Sequence, residues 1–162
     1  MSVGDIESKE KGSGARYNDG KPDYSLILIS DFVRYLEMME STEEDDILFI
    51  LRRLGEFQKT HSDVNLYEAL TAATYGDIEE SAHVFTYGAK KYAAWNWTKG
   101  MNWSIPLACA VRHCMAIIKG EEVDPESNRR HIAHVICNIW MLIHYTKYYQ
   151  EGNDLPSKEL FK

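Results

Sequence analysis

Cysteine and proline are scarce in this 162-residue sequence, and long apolar runs are missing. The three cysteines, Cys109, Cys114 and Cys137, are odd in number, and each sits in an apolar run of helical pattern. Free, buried thiols in a reducing compartment are expected. No C-x-x-C pair occurs, which argues against a structural zinc cluster. No stretch reaches the roughly 20 apolar residues that cross a bilayer. The first residues carry no apolar signal-peptide core, so no membrane association and a cytoplasmic location are expected. Positive charge is also short, with 18 Lys and Arg against 25 Asp and Glu and a net charge of −7. That excludes a general nucleic-acid binder. It leaves room for a nucleotide, because a few local cations and a metal hold phosphates within an acidic protein. There is no G-x-x-x-x-G-K-[ST] loop, no His-Asp dipeptide and no G-x-S-x-G elbow. P-loop and nucleophile-elbow enzymes are therefore excluded, and the phosphohydrolases built on His-Asp are disfavoured.

What is present fits one folded domain: 44% apolar and 27% charged residues over a length that supports a substantial core. Residues 1–13 read as a flexible tail, 14–150 as a single helical domain and 151–162 as a C-terminal tail. Residues 14–22 are dense in turn formers around Asn18-Asp19-Gly20 and Pro22. Helical spacing predicts a helix from Ser25 or Ser30 to about Met39. A second is expected over about Asp45–Thr60, capped by Ser41 or Thr42 after the acidic run Glu40–Asp46. A short helix is expected over Leu66–Thr74. Asp77 reads as the N-cap of a helix from Ile78 to about Tyr92. Further helices are expected from Ser104 to Gly120 and from about Arg129 to Tyr149. Strand signals are weak, so the fold class is an all-α helical bundle.

The last helix carries His131, His134 and Asn138 at i, i+3 and i+7. At about 100° per residue they share one side. Such a stripe either lines a cavity or forms the solvated edge of an amphipathic helix. The preceding helix places Arg112 and His113 in an apolar run, where they need partners or water. Its end delivers Glu121, Glu122 and Asp124 into a short loop. If the two helices pair antiparallel, Glu121 and Asp124 come near His131 and His134. Oxygen ligands of this kind suit Mg²⁺ or Mn²⁺; otherwise they form an acidic loop in water. Glu80, Tyr87 and Lys91 fall near one face of the helix before. Lys90 and Lys91 precede Trp95-Asn96-Trp97, a combination of cations, an amide and rings that suits phosphates and bases. Equally, the lysines answer the helix dipole and the rings pack.

Several strings together resemble a known family. They are Gly14-Ala15-Arg16-Tyr17-Asn18-Asp19-Gly20-Lys21-Pro22, Thr86-Tyr87-Gly88-Ala89-Lys90-Lys91-Tyr92, Asn96-Trp97, Lys99-Gly100-Met101, Arg112-His113, Gly120-Glu121, Asp124-Pro125-Glu126-Ser127 and His131-x-Ala133-His134-x-x-Cys137-Asn138. These are similar to the phage and bacterial dATP/dGTP diphosphohydrolase (N-terminal domain) family. The resemblance covers 14–29 and 77–146. That family is regarded as similar to MazG-like all-α pyrophosphatases, so the resemblance implies a MazG-like bundle, Mg²⁺ held by carboxylates, cleavage between the α- and β-phosphates, and a homo-oligomer. If the chain is phage-encoded, it would work in the host cytoplasm. Residues 34–76 look like an inserted segment, which could add helices, cover the site or make a subunit interface. MazG-type enzymes carry paired carboxylate motifs on two facing helices. Glu37-x-x-Glu40 and Glu43-x-x-Asp46 lie too close together for that and read as a solvated acidic run.

The resulting expectation is a metal-dependent purine (deoxy)nucleoside triphosphate diphosphohydrolase. Glu80, Glu121 and Asp124 would bind the metal, with Glu80 also catalytic. His113, His134 and Asn138 would complete the catalytic group, a histidine orienting the water or taking its proton. Lys21, Lys90, Lys91 and Arg112 would meet the phosphates, with Asp19 and His131 beside the substrate. Trp95 or Trp97 would stack on the base while Asn18 and Asn96 read its edge. The rival is a non-catalytic protein that sequesters a nucleotide signal in the same pocket. The blandest alternative is an oligomeric scaffold.

Overall fold

The computed structural model describes residues 4–39 and 45–162. Helix α1 spans Ile29–Met39, α2 Asp46–Thr60, α3 Val64–Leu70, α4 Tyr75–Lys91, α5 Ser104–Ile118 and α6 His131–Tyr148. Short 3₁₀ turns occupy Tyr24–Leu26, Asn96–Lys99, Gln150–Gly152 and Lys158–Phe161. The chain is an all-α bundle apart from one small hairpin. Among the described residues, no helix is long and apolar enough to cross a membrane.

The core follows from helical spacing. Helix α2 turns Leu48, Ile50, Leu51, Leu54 and Phe57 inward, where they join Ile29 and Val33 of α1, Leu66 of α3, Leu107 and Val111 of α5, and Val135, Ile139 and Leu142 of α6. Helices α1–α3 thus build the main core together with α5 and α6. Each large apolar side chain fully buried this way stabilises by about 1.5–3 kcal/mol. That outweighs the roughly 1 kcal/mol cost of Gly55 inside α2. Glycine is needed there because a Cβ would stand 2.7 Å from Ser30 Oγ, where α1 crosses.

Two helix caps differ from the sequence reading, and α3 covers Val64–Leu70 where Leu66–Thr74 was expected. Helix α2 is capped by Asp45, whose side chain accepts from Ile47 N at 2.8 Å; Glu40, Ser41, Thr42 and Glu43 lie outside the described residues. Helix α4 begins at Tyr75, before Asp77. Thr74 is the N-cap, and Asp77, at the third helical position, returns a bond to the Thr74 N–H. This reciprocal box satisfies two orphan donors, which a lone Asp77 cap would not.

Helix α5 packs most extensively on α6. Their connection contains an antiparallel ladder of two residues per strand, β1 (Val123–Asp124) and β2 (Arg129–Arg130), in register Val123↔Arg130 and Asp124↔Arg129. Strands this short leave no period-2 signature in the sequence.

The N-terminal segment is tied across the bundle. Gly14 N donates to Gly100 O at 2.8 Å. Ala15 exchanges two bonds with the Asn96 carboxamide, at 3.0 and 2.9 Å. Lys99 Nζ donates to the carbonyls of Asp5 and Ser8, which tethers residues 5–8 as well. Gly100 itself has φ 98°, and a Cβ there would lie 2.7 Å from the Tyr149 ring. Both the left-handed backbone and the contact penalise a side chain. Gly100→Ala is expected to cost about 2–4 kcal/mol, read as a lowered Tm with the unfolding cooperativity retained.

Candidate functional site

A cavity of about 850 Å³ opens among the 14–21 segment, α4, the Trp95–Trp97 turn, α5, the hairpin and α6. Most of the polar residues picked out in the sequence meet there. Asn18, Lys21, Lys91, Trp95, Asn96, Trp97, Arg112, His113, Glu121, Asp124, His131, His134 and Asn138 all line it. Asp19, Glu80 and Lys90 do not. Asp19 and Lys90 are exposed. Glu80 is engaged by Arg130, whose Nε donates to Oε2 at 2.5 Å and whose backbone N–H donates to Oε1 at 3.1 Å. Burial alone would raise the Glu80 pKa, but these bonds from Arg130 hold it below the ordinary range. Arg130 also meets Asp77 at 2.9 Å. Glu80 thus helps clamp α4 to the residue preceding α6, which accounts for its distance from the expected metal and catalytic roles.

The imidazoles form one connected group. His131 Nε2 lies 2.8 Å from Glu121 Oε1, and His131 Nδ1 lies 2.8 Å from His113 Nδ1. The His113 ring stacks on His134, with centroids 4.5 Å apart and planes at 12°. His134 Nε2 sits 2.6 Å from Ser127 Oγ and 3.2 Å from Asp124 Oδ2. Ser127 Oγ also donates to Asp124 Oδ2 at 3.0 Å.

The network assigns the tautomers. A carboxylate only accepts, so Glu121 selects the proton on His131 Nε2. When His131 carries only that proton, it accepts at Nδ1, His113 donates from Nδ1, and His113 Nε2 is left as an acceptor. Burial pushes the His113 pKa down to about 2, assisted by His134 and His131. It stays neutral at any working pH. Burial would raise the Asp124 pKa, yet the His134 and Ser127 hydrogen bonds hold it below the ordinary range. The carboxylate is therefore charged. The cysteines are free and buried. Burial pushes the thiols of Cys114 and Cys137 upward, so they stay protonated and supply no nucleophile.

The remaining polar groups serve the walls. Asn138 Nδ2 caps the His134 carbonyl at 2.8 Å, and its Oδ1 receives Arg16 Nη2 at 3.2 Å. Asn18 Oδ1 accepts from Arg112 Nη2 at 3.4 Å. Both halves of the Asn96 amide are engaged by Ala15, so its part is to hold the N-terminal wall; the geometry gives it no base edge to read. Glu126 reaches Lys91, with Tyr87 Oη at 3.3 Å and Lys21 Nζ at 3.9 Å. Sequence reasoning assigned no role to Arg16 or Glu126, although both line the cavity. The available signal was their place inside the strings that carry the family resemblance.

The donor set decides what kind of metal site is possible. Among the described residues, no group of three or more His, Cys, Asp or Glu side chains is arranged to hold a metal ion. Glu121 and Asp124 face the cavity, but each also fixes an imidazole. This set fits a hard cation that takes one or two carboxylates and completes its shell with water and substrate oxygens, the usual habit of Mg²⁺. It does not fit an all-protein cage.

Fold and site define a helical protein with a cationic, imidazole-lined cavity walled by aromatic rings. Residues 57–155 match the dATP/dGTP diphosphohydrolase, N-terminal, family model, and the chain belongs to that family. The family takes its name from dATP/dGTP diphosphohydrolase activity. No curated protein and no solved structure matches the chain.

Proposed function

We propose that this protein hydrolyses purine deoxynucleoside triphosphates to the monophosphate and pyrophosphate with the help of Mg²⁺ or Mn²⁺. The observation that carries the reading is the convergence, in one cavity of a member of this family, of the Glu121–His131–His113 chain with Arg112, Lys21, Lys91 and the Trp95–Trp97 rings.

Glu121 and Asp124 are the carboxylates that would hold the ion; Glu80 lies outside the cavity lining and is paired with Arg130. A divalent ion there supplies Lewis-acid neutralisation of phosphate charge. The chain's own residues do the rest. Lys21, Lys91, Arg112 and Arg16 give the cavity a positive wall for the triphosphate. Trp95 is 71% exposed and presents a ring on which a purine stacks. His113 Nε2 accepts a hydrogen bond from the attacking water. Because it is so weak a base, His113 aligns that water more than it stores its proton. Asn138 and Arg16 buttress the His134 side of the pocket.

The decisive assay incubates the protein with each dNTP in turn and Mg²⁺ and follows pyrophosphate release. Turnover of dATP or dGTP is expected. No turnover of any nucleotide by the folded protein with metal present rejects the reading.

One observation favours a second reading, retention without cleavage. The carboxylates nearest the histidines are already engaged, and no metal cage is formed among the described residues. Recovery of intact nucleotide after denaturing the complex, together with binding that survives EDTA, would select it.

A further inference from the structure

Glu126 stands at the tip of the β1–β2 hairpin, with its side chain turned onto the cavity wall. Three donors from two other parts of the chain meet its carboxylate: Lys91 and Tyr87 from α4, and Lys21 from the N-terminal segment. The donors approach both oxygens. Lys91 and Tyr87 take Oε1, and Lys21 faces Oε2. Two ammonium groups and a phenol around one carboxylate leave a local excess of positive charge. All four side chains line the same cavity.

A tetrahedral oxyanion carrying two charges would match this trio better than a single carboxylate. We propose that Lys21, Tyr87 and Lys91 form a phosphate subsite, and that Glu126 is an internal anion which occupies it until a polyphosphate displaces the hairpin tip. The assignment rests on the nucleotide reading for the identity of the ligand, but the subsite itself requires only an inorganic polyphosphate.

The hairpin suits the motion. Its strands are two residues each, and Glu126 is half-exposed. Asp124 and Ser127 on either side remain bonded to one another and to His134. The tip can therefore rotate Glu126 outward while Asp124 keeps its imidazole. Lys21 also donates to the Tyr17 carbonyl at 3.4 Å, and Lys91 lies over the Tyr92 ring, 5.5 Å from its centroid. Both cations stay positioned when the carboxylate leaves. The expected consequence runs against the usual effect of altering a binding pocket: removing this acidic residue strengthens binding.

The test is isothermal titration of the full chain with inorganic tripolyphosphate in EDTA, comparing the wild type with Glu126→Gln. The variant should bind about fivefold more tightly, the scale of a partly exposed ion pair that no longer competes. Lys91→Gln should weaken binding, and in the double variant the gain from Glu126→Gln should vanish. Equal or weaker binding by Glu126→Gln, a gain that persists in the double variant, or no binding by either form overturns the proposal. Pyrophosphate release from dATP on the same wild-type preparation separates the two readings. Turnover without a gain in Glu126→Gln sinks the subsite alone. A gain without turnover sinks hydrolysis and leaves the subsite.

Discussion

Replacing His113 with Ala is expected to lower kcat for dATP and dGTP by about 10²-fold, the scale of losing the alignment of an attacking group. KM should change little, because the phosphates are held elsewhere by Lys21, Lys91 and Arg112. The reason lies in proton placement. Glu121 orients His131, His131 Nδ1 accepts the hydrogen bond from His113 Nδ1, and the other nitrogen of the cavity-lining His113 is left as the acceptor. His113→Gln, which keeps a polar side chain of similar reach, should preserve folding by circular dichroism while remaining impaired. Steady-state kinetics of both variants beside the wild type check this, and an unaltered kcat removes His113 from the reaction.

The second large effect concerns acid. In the folded state the His113 pKa falls from 6.5 to about 2, chiefly through burial. Between those values the unfolded chain binds a proton that the native chain refuses, so stability rises with pH across this window and is lost as pH falls. The slope approaches about 1.4 kcal/mol per pH unit for one such group. Glu80, Asp124 and Glu126 also titrate below their ordinary values. Each contributes stability that is present above its unfolded pKa and is lost as pH drops through the folded one. All four groups act in the same direction. Thermal melts from pH 7 to pH 4 should show a continuous fall in Tm, beginning near pH 6.5, before the carboxylates engage. A flat Tm over pH 7 to 5 would mean that His113 is hydrated and takes up its proton without unfolding.

Much of this site was legible in the sequence because helices convert spacing into direction. His131, His134 and Asn138 share a face by their numbering alone, and the short α5–α6 connection was enough to bring Glu121 and Asp124 beside them. Lys91 and the Trp95–Trp97 turn followed from their order along the chain. Glu80 shows where that logic stops. Its helical phase was compatible with the cavity, yet the strongest cation within reach was Arg130, 50 residues away in sequence, and no periodicity encodes such a pairing. Asn96 looked like a base reader for the same reason; its pairing with Ala15 spans 81 residues. The core gave a similar contrast. The spacing of Ile47, Ile50, Leu51, Leu54 and Phe57 marked α2, but its place in the main core depended on a crossing with α1 that Gly55 permits.

The four tryptophans are distributed in a way that gives the protein an optical readout of its own. Trp103 is sealed inside, stacked on Phe57 with centroids 6.0 Å apart, and Trp140 lies outside the lining of the main cavity, on another surface of α6. Only Trp95 and Trp97 border the main cavity, their rings 6.3 Å apart. Intrinsic emission should therefore divide into a background from Trp103 and Trp140, which the cavity contents do not touch, and a fraction from Trp95 and Trp97, which they do. A purine entering the cavity would quench the second and leave the first as an internal standard, so occupancy can be followed without any label.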